Sequence, residues 1–108
     1  MRESGNLYRK TSPRPDVETI DSILKSRNFR VERIVSLGHA SPEGFWYQQV
    51  DAEWVAVLEG RARLRFQDGT VLELNRGDYV LIPAGERHRV DWTDPNSPTI
   101  WLAIHFNE

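Results

Sequence analysis

The chain has 108 residues, a formal net charge of −2 and no cysteine. This length suits one domain, and the lack of cysteine excludes disulfides and thiolate metal sites, so any metal must be held by nitrogen and oxygen ligands. The slight negative charge predicts no attraction to nucleic acid or to an acidic membrane surface. No window approaches the roughly 20 apolar residues of a membrane helix, and no secretory signal is evident, so the sequence predicts a soluble cytoplasmic protein.

Residues 1–34 are predicted to form a polar arm, with a short edge strand around Asn6–Arg9, and one short helix. Asp16 is a suitable N-cap for a helix from Val17 to about Ser26. The apolar residues of this segment recur at helical spacing and would share one face: Val17, Ile20, Ile23 and Leu24. The segment Asn28–Leu37 follows as a β-branched run, which indicates a strand.

From residue 45 onward, short runs rich in Val, Leu, Ile and aromatic residues alternate with turn residues, which is typical of a sandwich or barrel. The predicted strands are Phe45–Val50, Glu53–Leu58, Arg61–Phe66, Thr70–Leu74, Tyr79–Ile82, Arg87–Trp92 and Thr99–Phe106.

One hairpin register follows from the strict alternation of apolar and basic residues in Arg61–Phe66. A loop at Gln67–Gly69 pairs Phe66 with Thr70, and Leu64 then lies opposite Leu72. Arg63 lies opposite Glu73 on the other face, so the arginines are expected to face water as a solvated strand face rather than to bind nucleic acid.

Two of the predicted strands, Glu53–Leu58 and Thr99–Phe106, are apolar on both faces. A sheet of this kind must be covered on both sides, and a second copy of the chain is the simplest cover for the outer face. The sequence therefore predicts a homodimer, with Trp54 and Trp101 as anchors, because large buried aromatic residues dominate such interfaces.

Two stretches carry a family resemblance. Gly77–His88 reads as a glycine, a strand, Pro-x-Gly and a histidine on the next strand, and Glu53–Gly60 reads as a glutamate, a strand and a closing glycine. Their order and separation resemble the two motifs of the cupin superfamily, in particular its small single-domain members, over about residues 35–106. The resemblance implies an all-β fold, the double-stranded β-helix or jelly-roll barrel, over residues 35–108, so that the chain is one domain overall.

Cupins that bind a metal place two histidines and the glutamate of the first motif, with the histidine of the second, around one ion. Here the glutamate is Glu53 and the second-motif histidine is His88, while Tyr47 and Gln49 occupy the two first-motif histidine positions. With the longer spacing that the motif permits, those positions would be Trp46 and Gln48 instead. The resemblance thus implies a divalent metal (Zn, Mn, Fe or Ni) held by Glu53 and His88. Glutamine is a workable amide ligand, so Gln49 would complete an open site that resembles a facial triad with one weaker ligand.

The rest of the expected pocket consists of Tyr47, Trp92 and His105. Strand alternation places Tyr47 and Gln49 on one face, and His88 and Trp92 on one face. Two hypotheses about function stay open: a metal-dependent enzyme acting on a small polar substrate, of unspecified reaction, and a metal-free, non-catalytic module that binds a small ligand.

Overall fold

The computed structural model describes residues 2–10 and 17–107. These described residues form eight strands: β1 Thr19–Lys25, β2 Phe29–Ser36, β3 Ala52–Glu59, β4 Arg61–Phe66, β5 Val71–Asn75, β6 Tyr79–Ile82, β7 His88–Thr93 and β8 Thr99–Phe106. Within the described ranges no helix is long and apolar enough to cross a bilayer.

The strands form two antiparallel sheets, one of five strands in the order β1-β2-β8-β3-β6 and one of three in the order β5-β4-β7. Their inward side chains pack together into one core, because every second residue of a strand points to the same face. This core contains Val55, Val57, Ala62, Leu64, Phe66, Leu74, Ile82, Trp101 and Ala103. The arrangement fits the predicted jelly roll. Residue 35, where the barrel was predicted to begin, lies within β2, so this strand begins before the predicted boundary.

The predicted N-terminal helix is wrong: the segment from Thr19 to Lys25 is β1, and no part of the described chain is helical. Ile20 pairs with Ile34 of β2, and the register shifts between Ser22 and Leu24. This bulge changes the phase of the alternation, and we attribute the helix-like spacing of the apolar residues to it. The proposed cap Asp16 lies outside the described residues.

The predicted β4–β5 hairpin is confirmed. Leu64 lies opposite Leu72, Arg63 lies opposite Glu73, and the Phe66 N–H donates to the Thr70 carbonyl at 2.9 Å. Both Leu side chains contribute to the core, and an ion pair of 3.1 Å joins Arg63 to Glu73 on the outer face.

Two other predicted strands are wrong. Asn6–Arg9 contains a turn, in which the Arg9 N–H donates to the Asn6 carbonyl at 3.0 Å. Phe45–Val50 is a loop that pairs with the sheet through an isolated bridge between Tyr47 and His88. Two other backbone groups of this loop bond to loop residues, since the Phe45 N–H donates to the Pro42 carbonyl and the Gln49 carbonyl accepts from the Gly85 N–H, so no continuous ladder forms.

The outer face of the five-stranded sheet is apolar, as predicted for Glu53–Leu58 and Thr99–Phe106. Trp54 lies on this face, with its ring 5.4 Å from that of Tyr79, and Tyr79 and Leu81 are exposed. Trp101 does not lie there. It points into the core with only 4% of its surface exposed, and its Nε1–H donates to Ser36 Oγ at 3.2 Å, so it cannot be an anchor on the outer face.

Candidate functional site

A cavity of about 210 Å³ opens between the inner faces of the two sheets. Its apolar lining includes Val55, Leu64 and Trp101, which belong to the core, so the cavity is continuous with the best-packed part of the molecule. Its polar lining consists of Glu18, Arg30, Glu32, Tyr47, Gln49, Glu53, His88 and His105. A concave site with an apolar wall and a few converging polar groups is the usual form of a small-molecule site.

Glu53 lies between two imidazoles. It is the second residue of β3, and its direct neighbour across the sheet in β8 is His105. One carboxylate oxygen is 3.5 Å from His88 Nε2 and the other is 3.7 Å from His105 Nε2. All three side chains are largely buried, so each charge in this group depends on its neighbours rather than on water.

Backbone contacts on both sides of His88 hold it in place. Its N–H and carbonyl pair with those of Tyr47 at 3.0 and 2.7 Å, and the ring of Tyr47 stacks on its imidazole at 5.5 Å. Its Nδ1 lies 3.0 Å from the carbonyl of Glu86. Because a carbonyl can only accept, Nδ1 carries the hydrogen, and Nε2 is the ring atom directed at Glu53.

The pKa of His88 is raised above its ordinary value of 6.5. Burial by itself lowers this pKa, but the hydrogen bond and charge of Glu53, together with the Glu86 carbonyl and carboxylate, outweigh the burial. The arrangement therefore favours a positive charge on, or next to, the His88 ring.

His105 faces a second carboxylate as well as Glu53. Its Nε2 is 3.4 Å from Glu32 Oε1, while its Nδ1 is buried and has no hydrogen-bond partner in the described part of the chain. The carboxylates of Glu53 and Glu32 thus both lie next to His105. Together with His88, these side chains form one continuous series of imidazoles and carboxylates along the pocket.

Tyr47 and Gln49 enter the pocket from the loop between β2 and β3. The Gly85 N–H donates to the Gln49 carbonyl at 2.8 Å, and this bond fixes the loop next to the turn that precedes His88. Gln49 Oε1 is buried and has no hydrogen-bond partner among residues 2–10 and 17–107, which is costly for an amide oxygen unless a ligand supplies a donor or a cation.

The hydroxyl of Tyr47 stays protonated in this setting. Burial raises its pKa above 10.0, and the negative charges of Glu18 and Glu53 raise it further. Tyr47 therefore presents a neutral hydroxyl to the pocket, which can donate or accept a hydrogen bond.

Trp92 does not line the pocket, contrary to the sequence expectation. A register shift in the β4–β7 pairing leaves Asp91 as an extra residue, so Trp92 lies opposite Arg63 on the outer face while Val90 lies opposite Leu64 on the inner face. The guanidinium of Arg63 is 5.5 Å from the centre of the Trp92 ring. The bulge breaks the alternation that would have placed His88 and Trp92 on one face.

Three polar lining residues were not predicted: Glu18, Arg30 and Glu32. Arg30, Glu32 and Ile34 share the inner face of β2, where they lie opposite His105, Ala103 and Trp101 of β8, respectively. The sequence signal was ambiguous, because Arg33 on the other face of the same strand is also charged.

The donor atoms of the pocket fit a divalent metal in chemistry, being imidazole nitrogens and carboxylate and amide oxygens. In residues 2–10 and 17–107, however, no three His, Asp or Glu side chains are grouped around one point as a metal centre. A metal site in this pocket would accordingly include the amide oxygen of Gln49, the unpartnered atom identified above.

The comparisons with known proteins agree with this architecture. The family model described as "Cupin domain" matches residues 35–105, which include both sequence motifs and all the predicted site residues. No curated protein matches the chain.

Several solved structures are similar. A protein from Ralstonia eutropha JMP134, described as "a putative mannose-6-phosphate isomerase", is 37% identical, with a TM-score of 0.94 over 99% of this chain and 100% of that one. The protein TT1209 from Thermus thermophilus is 20% identical, with a TM-score of 0.81 over 98% of each chain. A cupin superfamily protein from Desulfitobacterium hafniense DCB-2 is 15% identical, with a TM-score of 0.76 over 91% of this chain and 84% of that one. The last two show the fold alone.

Proposed function

Because the chain belongs to the cupin domain family, we propose that its interior pocket binds a divalent metal ion together with a small polar ligand. The metal ligands are Gln49, Glu53 and His88, and His105 lies beside them as part of the ligand pocket.

The observation that carries this proposal is the orientation of His88. Its Nδ1–H donates to the Glu86 carbonyl, so a neutral ring directs the lone pair of Nε2 at the Glu53 carboxylate, 3.5 Å away. Two acceptors facing each other are unfavourable unless a cation lies between them. Metal-bound histidines use this same arrangement, in which the outer ring nitrogen donates to a backbone carbonyl.

Gln49 completes the donor set, because its buried Oε1 lacks a partner. Zn, Mn, Fe and Ni all accept such nitrogen and oxygen ligands, and an ion of this kind supplies a Lewis acid that polarises a ligand oxygen. The protein itself orients the ligand: Tyr47 offers a neutral hydroxyl near the mouth, and Glu32 fixes the ring of His105.

The ligand is a small polar molecule that carries hydroxyl groups, since the carboxylates of Glu18, Glu32 and Glu53 are suitable acceptors for them. The description of the 37% identical Ralstonia protein as an isomerase of a sugar derivative supports this choice and is consistent with metal-dependent enzymes of this family.

The test is metal analysis of protein purified without an affinity tag, followed by calorimetric titration of the metal-free protein with Zn²⁺, Mn²⁺, Fe²⁺ and Ni²⁺. We expect one ion per chain. His88→Ala should abolish binding, and Glu53→Gln should weaken it by more than about 10-fold, because each removes a ligand.

His39→Ala is the matched control. His39 lies outside the pocket lining and accepts a hydrogen bond from the Leu37 N–H at 2.8 Å, so metal affinity should not change. Equal loss of affinity in His39→Ala and His88→Ala, with both variants folded by circular dichroism, would show that the effect is not local to the site.

A metal-free binding module is the second candidate, and the raised pKa of His88 favours it. In this case a proton on Nε2 lies between His88 and Glu53 in place of the metal ion. The His88 imidazolium and the Glu53 carboxylate then form an ion pair that binds the ligand directly. Failure to bind any of the four metals, with the pocket intact, would select this candidate over the first.

A further inference from the structure

A second cavity of about 140 Å³ lies at the end of the five-stranded sheet, beside the turn between β1 and β2. Among the residues that the structure describes, its charged lining contains three strong cations, Lys25, Arg27 and Arg30, and one carboxylate, Asp51. The remaining lining residues are Ser26, Asn28, Phe29, His105 and Asn107.

Within residues 2–10 and 17–107, carboxylates compensate only part of the positive charge of this second cavity. Arg30 approaches Glu32 at 3.7 Å and Asp51 at 3.8 Å, both long for an ion pair. Neither Lys25 nor Arg27 has a carboxylate within ion-pair distance in the part of the chain that the structure describes. Two cations are therefore available to an anion, and the hydroxyl of Ser26 and the amide of Asn28 add uncharged hydrogen-bonding groups.

The second cavity joins the main pocket, because Arg30 and His105 line both. Strand register explains the connection: Lys25 of β1 lies opposite Arg30 of β2, Arg30 lies opposite His105 of β8, and His105 lies opposite Glu53 of β3. These four residues form one polar row across the inner face, positive at the β1 side and negative at β3. Arg30 and Glu53 are two strands apart, which separates their backbones by roughly 10 Å.

The two ends of this row favour different groups of one ligand. The main pocket contains three carboxylates, so an anionic group is disfavoured there, whereas a neutral hydroxyl is accepted. The second cavity has the opposite preference. A doubly negative group matches Lys25 and Arg27, which have no carboxylate partner in the described ranges, better than a singly negative one.

We propose that the second cavity is an anion subsite that binds the phosphate group of a small phosphorylated ligand, whose hydroxyl-bearing end reaches Glu53. The placement of the hydroxyl-bearing end of the ligand at Glu53 rests on the proposed function of the main pocket. The subsite itself rests on Lys25 and Arg27, which belong to no motif and lie outside the stretch matched by the family model.

The test measures binding of inorganic phosphate to the metal-free protein by ³¹P NMR titration. The double variant Lys25→Gln/Arg27→Gln should bind phosphate at least about 10-fold more weakly, because it removes two charge-assisted hydrogen-bond donors. The control is Arg63→Gln/Arg76→Gln, which removes the same charge from exposed positions that pair with Glu73 and Glu59, and its affinity should stay within about twofold of wild type.

Two further titrations separate the outcomes. Glycerol 3-phosphate should bind more tightly than inorganic phosphate, and Glu53→Gln should remove the gain. If Lys25→Gln/Arg27→Gln weakens phosphate but Glu53→Gln changes neither ligand, the subsite stands and the role of Glu53 fails. Equal phosphate affinity in the two double variants would overturn the subsite, whatever happens at Glu53. Acetate binding as tight as phosphate would overturn the assignment to phosphate.

Discussion

Gly60 is the closing glycine of the first motif, and the structure gives a physical reason for it. Its φ is +88°, and a Cβ at this position would lie 2.5 Å from Thr99 Oγ1, 2.6 Å from Thr99 Cα and 2.7 Å from the Pro98 carbonyl oxygen. Gly69, in the β4–β5 turn, has a φ of +93° but nothing within 4 Å of the same atom. The two glycines therefore have nearly the same φ but different surroundings.

Alanine at either position pays about 1–2 kcal/mol for the left-handed backbone. The gain from a stiffer unfolded chain is common to both variants and cancels in the comparison. Gly60→Ala must also displace the start of β8, for which overpacking costs of about 1–3 kcal/mol are usual. We expect Gly60→Ala to be less stable than Gly69→Ala by about 2 kcal/mol.

Urea unfolding followed by tryptophan fluorescence measures this difference. With an m value of about 2 kcal/mol/M, the midpoint of Gly60→Ala should lie about 1 M below that of Gly69→Ala. Equal midpoints at equal m values would refute the reasoning, since they would mean that β8 yields to the extra methyl at no cost.

Three further predictions concern the pocket and the outer face. Because the pKa of His88 is raised, its pairing with Glu53 stabilises the metal-free protein fully below pH 6.5, and this stabilisation is lost as pH rises through the folded pKa. The difference in unfolding free energy between wild type and His88→Asn should therefore shrink as pH rises through that window. A difference that stays constant with pH would contradict this prediction. Trp92→Ala should leave ligand and metal affinity within about twofold, whereas Tyr47→Ala should weaken ligand binding by about 10-fold in calorimetry, because only Tyr47 lines the pocket. We expect a homodimer by light scattering at micromolar concentration, and Leu81→Asp should dissociate it by placing a charge on the apolar outer face; a monomeric wild type would end that expectation.

Local sequence determined those parts of the molecule whose pattern has a single physical solution. The alternation in Arg61–Phe66 allows one register with β5, since a slip by one residue would bury the arginines and expose Leu64. The glycine and proline turns likewise limited the strands from β3 onward, and the motif residues Glu53 and His88 lie on facing strands of one pocket.

Tertiary structure alone decided the rest. The segment Thr19–Lys25 has apolar spacing compatible with a helix, and it is a strand because β2 offers a hydrogen-bonding edge that no local pattern reveals. The outward position of Trp92 depends on one extra residue at Asp91, which cancels the alternation beyond it. The sequence did not reveal that Arg30 and Glu32 lie on the inner face of β2, because Arg33 on the opposite face is charged as well. Arg33 is nevertheless buried, and its guanidinium donates to the carbonyls of Leu7 and Arg9 in the N-terminal arm. When both faces of a strand carry charged residues, the sequence does not indicate which face points to the core. For β2 this is decided by its packing against β8 and the N-terminal arm.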